Sequence, residues 1–108
     1  MWRRPQAAGR EDEMAAYVIV DIEITDRDKY SEYIKVAPES IAKYGGAYLV
    51  RGGRAENLEG VWQPKRVVVL RFDSFERAKD WWSSKEYDGP KALRQAASVT
   101  NMVLVEGA

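Results

Sequence analysis

Residues 16–34 read AYVIVDIEITDRDKYSEYI, and within them the spacing of the apolar side chains changes from every second residue to every third or fourth. β-Branched side chains alternate with other types over the first part of this stretch, which predicts a strand at Ala16–Ile24. From Tyr30 to Tyr44 the apolar side chains recur at helical spacing, which predicts a helix directly after the strand. This step from strand to helix is the unit on which the rest of the fold is built.

The ends of the predicted helix carry recognisable signals. Thr25, followed three positions later by Asp28, resembles a capping box, so we expect the helix to begin there. Pro38 removes one backbone hydrogen bond inside the pattern, which predicts a kink or two short helices that meet near Ala37. Gly45 is expected to end the helix in the left-handed conformation.

Two further strands follow, joined by a long connection. Ala47–Arg51 (AYLVR) is a short strand between glycine pairs, and Arg66–Phe72 (RVVVLRF) is the most hydrophobic run and is predicted to be a central strand. The stretch Arg54–Lys65 contains the turn formers Gly60 and Pro64, so a hairpin connection fits it better than a helix.

The rest of the chain is predicted to be helical and then extended. Ser74 is expected to cap a second helix, and a further helical turn begins at Ser84, breaks at residues 88–90 (Asp-Gly-Pro) and resumes over residues 91–97. Val99–Val105 is the predicted last strand. The buried side of the second helix is predicted to carry Phe75, Ala78, Trp81 and Trp82.

The order of elements predicts an α+β fold of ferredoxin-like type, βαββαβ, with a four-stranded antiparallel sheet. Right-handed crossovers place the helices on one face of that sheet and leave the other face open. The side chains expected to face the helices are Val18, Val20, Ile22, Ile24, Tyr48, Val50, Val68, Leu70 and Phe72. Those expected on the open face are Tyr17, Ile19, Asp21, Glu23, Ala47, Leu49, Arg51, Val67, Val69 and Arg71.

The predicted open face is too apolar to remain in water without cost. Contiguous apolar patches of this kind mark interaction surfaces, so we expect two copies of the chain to pair face to face as a homodimer. The alternative is that the N-terminal residues or the Arg54–Lys65 connection fold across the sheet.

Composition excludes several classes of function. Lys and Arg number 17, as do Asp and Glu, so the chain has no net charge to attract nucleic acid or an anionic membrane surface. It has no Cys and no His, which removes thiolate chemistry and the commonest base and metal ligand. No close acidic triplet has the spacing of a cation site, so we expect neither a metal nor a cofactor.

The N-terminal residues differ from the remainder. They read MWRRPQAAGREDE, with charges of both signs and no apolar stretch, so they do not form a secretory signal. We therefore expect residues 1–14 to be a flexible tail and residues 15–108 to form the domain. Apolar runs such as Val67–Leu70 are too short to cross a bilayer, and we expect the protein to be cytoplasmic.

Two stretches carry a resemblance to a known family: GGAYLVRGG at residues 45–53 and RVVVLRFDSFERAKDWW at residues 66–82. In combination they resemble the DUF1330 proteins, and the resemblance extends over Ala16–Gly107. It implies the dimeric α/β-barrel superfamily, in which two ferredoxin-like sheets pack together and a small-molecule pocket often lies between sheet and helices. It implies no assigned reaction, and the His that haem-binding relatives use as a ligand is absent here.

The strand phases place two carboxylates, Asp21 and Glu23, on the same open face as the guanidinium groups of Arg51 and Arg71. In the functional interpretation, the two arginines hold an anionic ligand while Asp21 or Glu23 acts as a base whose pKa is raised by apolar surroundings. In the alternative interpretation the four charges pair with each other and fix the register of the sheet.

Aromatic side chains give a second candidate group. Tyr17 with Tyr30 or Trp82 is predicted to line an apolar cavity for a planar ligand, although helical spacing equally explains most of the rings as core. Two functions therefore fit the sequence. The first is binding of a small anionic or aromatic molecule, and the alternative is a cofactor-free monooxygenase or isomerase acting on a small ring or enol compound.

Overall fold

The computed structural model describes residues 14–108, which form four strands and three helices. In chain order these are β1 (Ala16–Ile24), α1 (Arg27–Lys43), β2 (Ala47–Arg51), β3 (Val67–Phe72), α2 (Phe75–Trp82), α3 (Lys85–Ala97) and β4 (Ser98–Glu106). The strands form one sheet in the order β2-β3-β1-β4, and every neighbouring pair is antiparallel. This is the predicted ferredoxin-like α+β fold.

The core lies between the helices and one face of the sheet. Val18, Val20 and Ile22 on β1 are buried, as the period-two pattern predicted, and they pack in the same cluster as Leu70 and Phe72 on β3. The helices contribute the buried side chains Tyr30, Ala37, Ile41, Ala78, Trp81, Tyr87 and Ala97 to this cluster.

Two expectations concern the limits of the chain. The predicted flexible tail lies outside the described residues, apart from Met14, which is exposed. Across residues 14–108, no helix combines the length and the apolar character that crossing a bilayer requires.

The helix starts follow capping chemistry. Ser74 caps α2 by accepting a hydrogen bond from the backbone N–H of Arg77 at 3.0 Å, as predicted. The predicted cap at Thr25 is wrong by one residue, because the carboxylate of Asp26 accepts the backbone N–H of Lys29 at 3.1 Å. A charged acceptor at this end of a helix is favoured by the helix dipole as well as by the hydrogen bond.

Both internal prolines lie within unbroken helices. The prediction of two short helices meeting near Ala37 is wrong, since α1 continues through Pro38. The predicted break at residues 88–90 is also wrong, because α3 continues through Pro90. In α3 the side chains of Tyr87 and Ala97, on either side of the proline, are both buried in the core, and this packing outweighs the local cost of the proline.

Strand β2 contains an irregularity that changes which side chains face the helices. Tyr48 pairs with Leu70, but Val50 pairs with Val69 and Arg51 with Val68, so one extra residue lies between the two regular parts of the strand. Partners in an antiparallel pair share a face of the sheet. The predicted placement is therefore wrong for two residues: Arg51 faces the helices and Val50 faces the open side.

Glu86 joins the C-terminal end of α1 to the first turn of α3. Its carboxylate lies 3.0 Å from the ammonium group of Lys43 and accepts a hydrogen bond from the Tyr44 hydroxyl at 2.8 Å. The contacts with Lys43 and then Tyr44 lower the pKa of Glu86 from its ordinary 4.5 to about 2.

This pKa predicts a specific acid sensitivity. Because the folded-state pKa is lower than the unfolded one, the stabilisation from Glu86 is complete above pH 4.5 and is lost as the pH falls toward about 2. Glu86→Gln is expected to lose less stability than the wild type between about pH 6 and about pH 3, as measured by urea unfolding at each pH. An identical pH dependence in the two proteins would contradict this assignment.

Candidate functional site

A cavity of about 610 Å³ lies between the helices and the sheet, on the side of β1 and β4. Its floor is formed by sheet residues that alternate toward the helices: Val18, Ser98, Thr100, Met102 and Leu104. Its walls and rim come from α2 and α3 and comprise Ala78, Lys79, Trp81, Trp82, Ser83, Arg94 and Gln95. A volume of this size is in the range that accommodates small-molecule ligands.

The lining is apolar with a few polar groups. Trp81, Met102 and Leu104 provide apolar surface, while the hydroxyl groups of Ser98 and Thr100 share a hydrogen bond of 2.8 Å. Two cationic residues, Arg94 and Lys79, line the cavity, and none of the lining residues within positions 14–108 is Asp or Glu. The electrostatic character of the cavity is therefore positive.

Arg94 is the charged residue deepest in this part of the fold, with 4% of its surface exposed. Its Nε donates a hydrogen bond to the hydroxyl of Tyr87 at 3.2 Å, and that hydroxyl shares a second hydrogen bond of 2.8 Å with Tyr33. Burial, followed by the interaction with Tyr87, raises the pKa of the Tyr33 phenol, so this group stays neutral. The two tyrosines thus hold the guanidinium of Arg94 in place.

A second cavity, of about 30 Å³, is also lined by Arg94. It is lined by Tyr30, Arg51 and Arg66 among others, and it has room for little more than a water molecule. Arg51 lies over the Tyr48 ring, with its Cζ 4.5 Å from the ring centroid, and donates to the carbonyl of Ile34 at 3.5 Å. That carbonyl is available because Pro38, four residues later, has no N–H to donate to it.

The four charges predicted to form one cluster are not brought together. Arg51 lies on the helix side of the sheet, whereas Asp21, Glu23 and Arg71 follow the phase of the open face. Arg71 pairs with Asp73 at 3.1 Å rather than with Asp21 or Glu23. The predicted clamp of Arg51 and Arg71 is therefore wrong, because the extra residue in β2 turns Arg51 to the opposite face.

Asp21 holds the connection between β2 and β3 against the sheet. Its carboxylate accepts hydrogen bonds from the indole N–H of Trp62 at 2.7 Å and from the backbone N–H of Lys65 at 2.8 Å. Burial alone would raise the pKa of Asp21, but these bonds, the backbone N–H of Arg66 and the charge of Lys65 hold that pKa below its ordinary value. The expected direction, a raised pKa, is wrong for this residue.

The three predicted aromatic ligand-binding residues lie in three different places. Trp82 is 44% exposed at the rim of the large cavity, with the ammonium of Lys91 3.7 Å from its ring centroid. Tyr30 is buried beside the small cavity, where its hydroxyl accepts from Nε of Arg66 at 3.1 Å. Tyr17 lies on the open face, opposite Arg71 and Val105. Only Trp82 therefore belongs to the large cavity.

Sequence reasoning missed the buried cation. Arg94 follows Tyr87 by seven residues and precedes Ala97 by three, which is the spacing of one helix face. A cation on the face that carries Tyr87 was the available signal, and the wrongly predicted break at residues 88–90 concealed it. Within residues 14–108, no group of three or more Asp or Glu side chains is arranged to hold a metal ion.

Comparisons with known proteins agree with this fold. A protein of unknown function from Rhodopseudomonas palustris is 13% identical, with a TM-score of 0.73 over 97% of this chain and 95% of that one. A conserved protein of unknown function from Bacteroides thetaiotaomicron, described as a possible oxidoreductase, is 12% identical, with a TM-score of 0.57 over 86% of this chain and 97% of that one. A conserved protein from Methanosarcina mazei is 15% identical, with a TM-score of 0.52 over 88% and 95% of the two chains.

These identities carry the fold and nothing about activity. Comparison with curated proteins gave no match. The family comparison is more specific, because it matches residues 15–108, which include all the strands and helices described above. The chain belongs to the family described as a domain of unknown function, DUF1330.

Proposed function

We propose that this protein binds a small anionic or aromatic molecule in the large cavity between its helices and its sheet. The observation that carries the proposal is the cavity itself: about 610 Å³, largely apolar, with the buried Arg94 in its wall. Binding sites for small molecules combine an apolar lining with a few placed polar groups, and this cavity has that composition.

A second candidate is a cofactor-free monooxygenase or isomerase. The Bacteroides protein described as a possible oxidoreductase is a reason to consider it, although the likeness is one of fold. The carboxylates that were predicted as bases, Asp21 and Glu23, lie on the opposite side of the sheet from the cavity. Because no carboxylate lines the cavity in the part of the chain that the structure describes, binding without turnover has the stronger support.

The binding proposal is tested by thermal shift and calorimetry with phenylacetate, octanoate and their neutral amides as probes. We expect at least one probe to bind and to stabilise the wild type. Thr100→Trp fills the cavity from its floor and is expected to abolish that binding. Ser31→Trp, at an exposed position of α1 that lies outside both the cavity and the open face, is the matched control and should bind as the wild type does. Failure of every probe, or equal binding by the two variants, would contradict the proposal.

We also propose that the protein is a homodimer paired through the open face of the sheet. An uninterrupted apolar row crosses all four strands there, because Val50 pairs with Val69, Val69 with Ile19 and Ile19 with Val103. Val103 and its neighbours Val99 and Val105 are exposed. A self-complementary contact between two such faces buries all of these side chains.

The alternative cover for this face, the connection between β2 and β3, reaches only part of it. Trp62 in this connection contacts Asp21 on β1. The side chains of Val99, Val103 and Val105 on the neighbouring strand β4 nevertheless remain exposed. In addition, Leu58 and Val61 in this connection are almost fully exposed. The connection therefore adds apolar surface at the edge of the open face, which further supports pairing with a second copy.

A further inference from the structure

Arg94 is a buried charge without a counter-charge among residues 14–108. It is 4% exposed, and none of the ion pairs among residues 14–108 includes it. The only hydrogen bond that its side chain makes with that part of the chain is the one from Nε to Tyr87. The two terminal nitrogens of the guanidinium have no hydrogen-bond acceptor among residues 14–108, although a fork of paired N–H donors of this kind binds one. Because no fully enclosed side-chain nitrogen in that part of the chain lacks a partner, these two nitrogens are reached by solvent.

Burial of an unpaired cation is costly, and cores retain one only where something compensates it. Here the compensation is not supplied by the described walls of the cavity, in which residues 14–108 contribute a second cation, Lys79, and no carboxylate. An anion that enters the cavity would supply it. The surrounding surface restricts what kind of anion fits, because much of the lining, including Trp81, Met102 and Leu104, is apolar.

We propose that the ligand is a carboxylic acid with an apolar body, and that the guanidinium of Arg94 binds its carboxylate. This inference rests on the proposed binding function and specifies its ligand class. The planar carboxylate matches the two parallel N–H donors of the guanidinium. The hydrocarbon or aromatic body lies against Trp81 and the floor of β4, while Tyr87 and Tyr33 act as positioning residues that keep the fork aimed.

The ligand class is tested with matched pairs of acid and amide: phenylacetate against phenylacetamide, and octanoate against octanamide. For the wild type we expect the acid to bind about 10- to 100-fold more tightly than its amide, measured by calorimetry. Arg94→Met is expected to remove this preference while amide binding remains. Arg27→Met, an exposed arginine in the first turn of α1, is the matched control and should keep the preference.

The outcomes separate the two proposals. Equal affinity for acid and amide in the wild type, or an unchanged preference in Arg94→Met, overturns the carboxylate assignment while the binding function stands. Failure of every acid and every amide to bind overturns both.

A second measurement needs no ligand and distinguishes a binding residue from a structural one. Arg94→Met removes an unpaired charge, and the Tyr87 hydroxyl keeps its hydrogen bond to Tyr33. The free variant is therefore expected to melt at the wild-type temperature or above it. A fall of more than about 4 °C would show that the guanidinium stabilises the empty protein, and this would overturn the assignment.

Discussion

Trp81→Ala is expected to destabilise the fold by about 3–5 kcal/mol, the largest effect of any single truncation proposed here. The indole is 1% exposed, and its ring centroid lies 5.3 Å from that of Phe72 and 4.1 Å from that of Tyr87. Its N–H also donates to the buried hydroxyl of Ser40 at 3.2 Å. Since native domains have only about 5–15 kcal/mol of stability, this single change is expected to consume much of the total.

Urea unfolding followed by circular dichroism measures the cost. The adjacent Trp82→Ala is the control, because the same side chain is removed from a position that is 44% exposed. We expect its cost to be about 1 kcal/mol or less. If both variants lost a similar free energy of unfolding, the packing of Trp81 against Phe72 and Tyr87 would not be a main source of stability.

Val103→Glu is expected to convert the proposed homodimer to monomers. Val103 is 53% exposed and pairs with Ile19 in the apolar row, so a monomer can keep the Glu side chain in water while a dimer must bury it. Because the proposed dimer is twofold symmetric, each of the two copies would place one introduced carboxylate in the interface. The dissociation constant should therefore rise by at least about 100-fold, which analytical ultracentrifugation over a concentration series measures.

The matched control for this variant is Val36→Glu. Val36 is 44% exposed on α1, in the layer of helices and away from the sheet, so the same substitution should leave the mass in solution unchanged. A wild-type protein that sediments as a monomer, or a Val103→Glu variant that stays dimeric, would contradict pairing through this face.

The parts of the fold that sequence predicts well are those where one pattern operates alone. The bounds of β1 and β2 match the prediction, and the bounds of β3 and β4 differ from it by one residue. In these strands apolar side chains alternate between the two faces of the sheet, and this alternation can be read directly from the sequence. The two prolines were over-weighted, since Pro38 and Pro90 cost one hydrogen bond each while the buried side chains on both sides of them hold the helices together.

The candidate site was less accessible to prediction, for two physical reasons. The phase of a strand after an irregularity depends on pairing with its neighbour, and nothing in AYLVR records that pairing. The cavity depends on how far the helices stand from β4, which is a property of packing rather than of any local pattern. The position of Arg94 on the helix face that carries Tyr87 could be read from the sequence. Its proposed role as a ligand-binding residue could not, because that depends on the lack of a counter-charge among the described residues around it.

The extra residue in β2 has a consequence for comparing this chain with other proteins of the same fold. Structures that are 12–15% identical to it must be aligned through a strand of five residues in which the alternation of faces is shifted by one position at Leu49. An alignment that shifts this strand by one position matches Arg51 with a side chain from the other side of another protein's sheet. Residues of β2 should therefore be compared between two proteins only after their structures have been superposed, because a sequence alignment alone does not show which residues share a face of the sheet.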